Sequence, residues 1–178
     1  MGREIRRVPP HWEHPKRDDG SYQPMFDHSA QDRFLQWLED FERFKAEEMK
    51  EACEEYGYDA RDAYAAFCDY DGGPPDHIYC RPNWSKSEAT WFQVYETVSE
   101  GTPVTPAFET QAELVDYLVE NGDFWDQKRR ADPNRFIGIN CAPWPRDRAE
   151  KFVGSGFAVS FVVDKKGIRS GVEALSDA

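Results

Sequence analysis

Trp91-Phe92-Gln93-Val94-Tyr95-Glu96-Thr97-Val98 is the stretch from which the fold is read. Side chains along a β-strand alternate between its two faces. Phe92, Val94 and Val98 share one face here, and Trp91, Gln93, Tyr95 and Thr97 share the other. Ser99-Glu100-Gly101-Thr102-Pro103 then turns the chain. Val104 to Phe108 is expected to pair back onto the strand.

Downstream of this strand, Thr110 and Glu113 form a T-x-x-E capping box. It predicts a helix that buries Leu114, Val115, Leu118 and Val119 and ends at Asn121-Gly122. Residues 123–143 show no clear period, although Phe124 and Trp125 are core candidates and Lys128-Arg129-Arg130 is the one basic run. Pro145 suits the start of another helix, which carries Ala149, Phe152 and Val153 and stops at Gly154. Phe157 to Val163 reads as a strand, Asp164-Lys165-Lys166-Gly167 as a hairpin turn, and Ile168 to Val172 as the returning strand.

Upstream, a helix is expected from about Ser29 to Tyr56. Ser29 can cap it with Asp32 three residues on, and Gly57 can end it. Phe34, Leu38, Phe41, Lys45, Met49, Ala52 and Tyr56 keep a helical period, and Trp37, Phe44 and Cys53 widen the stripe. A second, short helix is expected from Asp59 to about Phe67. Cys68 to Asp76 reads as a loop, because Gly72-Gly73-Pro74-Pro75 continues neither a helix nor a central strand. Residues 1–28 read as an extended N-terminal arm anchored by aromatics, with Ile5 and Val8 in a short edge strand. The element order predicts an α+β fold. A single compact domain over 29–178 would hold a small antiparallel sheet with helices packed on one side.

The 178 residues can enclose a real core. Six Trp, eight Tyr and twelve Phe supply much of the apolar surface. No run of apolar residues is long enough for a transmembrane helix. The opening MGREIRRVPP has no apolar segment of the secretory kind, and Arg6 stands where a myristoylation signal needs Ser or Thr. A cytosolic protein is therefore expected. The net charge of −12 argues against direct nucleic-acid binding and against anionic membranes. It suits a basic protein partner, including a surface that normally binds DNA.

Several segments resemble a family of uncharacterised proteins encoded by bacteriophages and prophages. They are Ile5-Arg-Arg-Val-Pro-Pro10 with Trp12-Glu-His-Pro15, Asp71-Gly-Gly-Pro-Pro-Asp76, Arg81-Pro82 with Trp84, Glu88 through Pro106, Ala149 through Gly156, and Gly171-Val-Glu-Ala-Leu175. The pieces keep their order and span most of the chain. Relatives are expected to carry Trp-Ala-Pro near the final hairpin, where this chain has Phe157-Ala158-Val159. The resemblance implies a phage or prophage origin and action in the bacterial cytosol. It implies no chemistry.

Four constellations could carry function. In the long helix, Glu39, Asp40, Glu42, Glu47, Glu48, Glu51, Glu54 and Glu55 stand against only Arg43, Lys45 and Lys50. Glu47, Glu51 and Glu54/Glu55 share a face, with carboxylates about 6 Å apart along the axis, so they could imitate a row of phosphates. The plainer account is a solvated helix face, but the surplus of acids repels itself. Asp69, Asp71 and Asp76 resemble calcium and phosphatase loops, yet lack the further ligands of an EF-hand and the strand and Thr of a phosphatase; a turn rich in Asp suffices. Cys68, His77, Cys80 and Cys141 match no standard zinc spacing, so buried or free thiols are expected. His11 and His14 flank Glu13, but Pro9, Pro10 and Pro15 oppose the helix that would make them metal ligands.

No nucleophile elbow, P-loop or dinucleotide fingerprint is present in the sequence. No cofactor, metal or catalytic residue is expected. The leading expectation is a non-enzymatic phage accessory protein that binds and inhibits or redirects a host protein, such as a defence or nucleic-acid enzyme. Its contacts would be Glu47, Glu51, Glu54, Glu55, Asp71 and Asp76. One alternative is a small-molecule-binding protein or small enzyme that uses Arg81, Trp84, Glu96 and Glu100. Another is a structural or assembly component of the phage particle.

Overall fold

Strand β1 (Arg3–Val8) runs antiparallel to β4 (Trp91–Glu96), with Ile5 opposite Val94 and Arg6 opposite Gln93. The computed structural model describes residues 2–50, 54–55, 57, 59–97, 101–132, 134, 143–165 and 167–175. The chain forms two compact units, one of residues 1–25 with 84–178 and one of residues 26–83. The fold is α+β, with a small antiparallel sheet and helices. Among the described residues no helix is long and apolar enough to cross a membrane.

The first unit is built on a four-stranded sheet of order β5-β4-β1-β6, where β5 is Thr102–Pro103 and β6 is Phe157–Ala158. β1 therefore lies inside the sheet, which corrects the expectation of an edge strand. Its second neighbour, β6, comes some 150 positions later, so no local signal marks the pairing. The strand after the turn is also shorter than expected. Only Thr102 and Pro103 pair with Glu96 and Tyr95, and Phe108 makes an isolated bridge to Phe92.

The alternation along β4 divides the unit. Phe92 and Val94 face a core that also holds Leu114, Val115 and Leu118 of α3 (Gln111–Asn121), Ala149, Phe152 and Val153 of α5 (Arg146–Ser155), and Trp144. Thr110 and Glu113 form the expected capping box on α3. α4 (Phe124–Ala131) starts at Asp123, which accepts from the backbone N–H of Trp125 and Asp126. α5 runs past Gly154 to Ser155, and Gly156 at φ +75° ends it. The hairpin of β7 (Phe161–Asp164) and β8 (Gly167–Ser170) has Asp164 opposite Gly167, around the expected turn. The returning strand stops at Ser170, because Ser170 and Glu173 cap a helical turn, α6 (Gly171–Ala174).

The second unit pairs α1 (Ala30–Glu47) with α2 (Ala60–Asp71). Phe67 packs against Trp37, Phe41 and Phe44 with ring centroids 5.3–5.5 Å apart. Ser29 and Asp32 cap α1 as expected, and Asp59 with Asp62 caps α2. β2 (Phe26–Ser29) and β3 (Cys80–Arg81) form a short parallel pair. α1 ends at Glu47, well before Tyr56, and helical backbone resumes at Lys50 and at Glu54–Glu55. Carboxylates at Glu47 and Glu48 oppose the negative end of the helix dipole. Asp69 and Asp71 lie in the last turns of α2, so the expected loop begins only at Gly72.

Candidate functional site

The second face of β4, carrying Gln93 and Tyr95, meets the segment from Trp12 to Tyr22. Its floor is a buried network. His14 Nε2 lies 2.6 Å from the Gln23 carbonyl oxygen, which can only accept. The bonding pattern therefore assigns the ring proton to Nε2 and a lone pair to Nδ1. Nδ1 lies 3.2 Å from Tyr95 Oη. The same hydroxyl receives the Trp12 indole N–H at 3.3 Å and donates to Gln93 Oε1 at 3.0 Å. Gln93 Nε2 donates to the Thr105 carbonyl at 2.9 Å, and Thr105 Oγ1 accepts from the Val94 N–H at 3.1 Å. Burial is the main cause that holds the His14 imidazole below its ordinary pKa, and nearby Arg6 adds to it.

Arg6 and Gly101 fix this floor in place. The Arg6 guanidinium lies 4.3 Å from the Tyr95 ring centroid, ion-pairs with Glu4 and donates to the Met25 carbonyl. Gly101 has φ +90°, and a Cβ there would come within 2.0 Å of the Met25 carbonyl oxygen. Only glycine fits such a close approach.

Above the floor is a cleft of about 730 Å³, lined among others by Trp12, His14, Tyr22, Gln93, Tyr117 and Phe124. A smaller lobe of about 460 Å³ holds Glu96, Thr102 and Trp125. Lys16, Tyr22, Pro103, Val104 and Phe124 line both lobes. Glu96 is buried, and its carboxylate accepts the Trp125 indole N–H at 2.8 Å. The segment 16–22 closes one side as a tight hairpin, with Lys16 bridged to Tyr22 and the Arg17 N–H donating to Ser21.

Other residues with expected roles lie in several places. Trp84 packs edge-on against Trp12, with centroids 4.9 Å apart. Arg81 belongs to the second unit, where it lies 3.4 Å from Asp27, and it lines neither lobe. Glu100 and Glu51 fall outside the described residues, as do Cys53 and Cys141. Glu47 and Asp71 come together in a groove of the helix pair, with Asp40, Glu48, Phe44 and Tyr70. Glu54 and Glu55 are exposed. Asp76 caps a 3-10 turn by accepting from the Ile78 N–H.

The two histidines of His11-Trp-Glu-His14 separate: His11 packs edge-on against Trp91 at 4.7 Å, and His14 enters the cleft floor. Cys68 and Cys80 are free thiols, and burial raises the pKa of Cys80. Among the described residues no three His, Cys, Asp or Glu side chains are grouped to hold a metal ion.

Reading the sequence as a string of elements misses His14, Lys16, Tyr22, Gln93, Tyr117, Phe124 and Gln127 as one site. The available signal was Gln93, an amide in the middle of an otherwise apolar and aromatic strand, which needs buried partners. Comparison of the chain with family models, curated proteins and solved structures finds no match.

Proposed function

We propose that the first unit is a binding module for a small organic molecule, held in the two-lobed cleft. One observation carries this. Aromatic rings from three separate stretches, Trp12 with Tyr22, Tyr117, and Phe124, line a cavity above a floor that makes its own hydrogen bonds. Ligand cavities are commonly pre-formed, concave and aromatic, with few polar groups and a volume of about 300–1,000 Å³. Such a floor need not rearrange when a ligand arrives, so binding costs little ordering. Two of the segments that resemble phage proteins, 5–15 and 88–106, both contribute to the cleft, which supports a shared role for them. His14 has both ring nitrogens engaged, so its part here is to position Tyr95 and Gln23.

The test uses Tyr22→Ala and Phe124→Ala. Both side chains are substantially exposed, at 39% and 48%, so neither change should unfold the protein. A ring-bearing fragment that binds the wild type should bind either variant at least about fivefold more weakly, since stacking against an aromatic ring is worth about 1 kcal/mol or more. Equal affinity in all three proteins would remove the cleft from the account.

A second reading is favoured by the groove that brings Glu47 and Asp71 together. In it, the protein is a phage or prophage accessory factor in the bacterial cytosol, and its acidic helix pair binds a basic, nucleic-acid-binding surface of a host protein. That contact would inhibit or redirect the host protein. Glu47, Glu51, Glu54, Glu55, Asp71 and Asp76 would meet it. A pull-down from bacterial lysate should yield one basic partner that is lost at high salt, as exposed charge contacts are screened. Replacing Glu47, Glu51, Glu54 and Glu55 by Gln should abolish capture, and unchanged capture would refute this reading.

A further inference from the structure

We infer that the cleft takes a ring-bearing zwitterion, with the head group of an aromatic α-amino acid. This rests on the cleft being a ligand site and adds the chemical class. The floor cannot choose the ligand by hydrogen bonding, because His14, Gln93 and the Thr105 hydroxyl are all engaged within the protein. Selection falls to the walls and to the groups still open there.

Those groups come in two kinds. Lys16 lines both lobes, and its ammonium lies 5.2 Å from the Tyr22 ring centroid. Among the described residues no carboxylate lies within 4.0 Å of it. Tyr117 Oη accepts from Gln127 Nε2 at 2.9 Å and keeps its own proton to donate. Lys16 and Tyr117 are therefore donors suited to a carboxylate. Against them stand Glu13, which also has no cation within 4.0 Å among the described residues, and Gln127 Oε1, whose amide nitrogen is committed to Tyr117 and Gly122. These two are acceptors suited to an ammonium group.

Glu13 and Lys16 are exposed at the cleft wall, so a purely anionic ligand meets Lys16 but also the like charge of Glu13, and a purely cationic one meets Glu13 but also the like charge of Lys16. A zwitterion answers both. Its ring meets Trp12, Tyr22 and Phe124, and the smaller lobe leaves room for a substituent.

The experiment is calorimetric titration of the full chain with L-tryptophan, tryptamine, indole-3-propionate and indole. Tryptophan should bind at least about tenfold tighter than each of the other three. Lys16→Met should remove most of that advantage and bind tryptamine no more weakly than the wild type does, and Glu13→Gln should remove most of it and bind indole-3-propionate no more weakly. The inference is overturned if indole or either singly charged analogue binds as tightly as tryptophan, or if none of the four binds. In that last case, a parallel NMR screen of ring-bearing fragments separates the two claims. Shifts of the Trp12 and Trp125 indole N–H signals with another fragment would leave the cleft standing and discard only the class. No shift with any fragment would discard both.

Discussion

Tyr95 Oη lies 3.2 Å from His14 Nδ1 in a floor where Gln93 Oε1 is also 3.0 Å away, so two acceptors compete for one buried hydroxyl proton. The same oxygen accepts from the Trp12 indole. Tyr95→Phe keeps the ring under Arg6 and removes only this junction. It should lower stability by about 1–3 kcal/mol, because it leaves buried polar groups without partners. Urea unfolding of wild type and variant checks this, and a change within about 0.5 kcal/mol would mean that the hydroxyl adds nothing.

The His14 environment sets a pH dependence. Its folded pKa is lowered, chiefly by burial, so the folded state binds the proton less readily than the unfolded state. Its contribution to stability is complete above the unfolded value of about 6.5 and is lost as pH falls through the folded value. Asp126 acts in the opposite direction. Burial and neighbouring Asp123 raise its pKa, so its protonation on acidification favours the folded state. The wild type minus His14→Gln difference isolates the histidine. Wild-type stability should fall more steeply than the variant's on acidification below pH 6.5, and parallel curves would contradict the assignment.

Arg3 and Asp123 form an ion pair at 2.6 Å, with side chains only 5% and 3% exposed. Asp123→Asn keeps an oxygen to cap α4 but removes the carboxylate charge from a buried ion pair, which should cost about 3–5 kcal/mol. Combining it with Arg3→Met should be less damaging than the sum of the single changes, by about 1–3 kcal/mol. A double-mutant cycle measured by urea unfolding checks the coupling, and strict additivity would deny it.

Gly101 tests the link between backbone and cleft. Gly101→Ala places a methyl group against the Met25 carbonyl and Arg6 in a left-handed backbone. It should cost more than about 1 kcal/mol, whereas Gly73→Ala, which meets nothing within 4 Å and has no positive φ, should stay within about 0.5 kcal/mol. Thermal unfolding of the two variants side by side gives the comparison.

Much of the fold was legible where the signal is local. Ser29 with Asp32, Asp59, Thr110 with Glu113, and the turn from Asp164 to Gly167 all mark boundaries that depend on a few adjacent residues. The alternation of Phe92 and Val94 against Gln93 and Tyr95 also separates the core face from the cleft face. What local sequence could not show is pairing at a distance. β1 looks like an edge strand beside Pro9, yet β6 pairs with its first residues, Arg3 and Glu4, on the outer side. The cleft is hidden for the same reason, since Lys16, Gln93 and Gln127 are neighbours only after three distant stretches meet. The acidic run is visible in the string because charge belongs to single residues, while an amide inside an apolar strand reveals its partner only in the fold.

The most direct test of the central claim is a ¹⁵N NMR titration of the full chain against a library of ring-bearing fragments, read on the indole N–H signals. Trp12 bonds to Tyr95 at the floor of the larger lobe and Trp125 bonds to Glu96 in the smaller one, so each reports on its own lobe. The account predicts fragments that shift one or both signals and lose this effect in Phe124→Ala. Saturable binding that leaves both signals unmoved, or that persists in the variant, would contradict it.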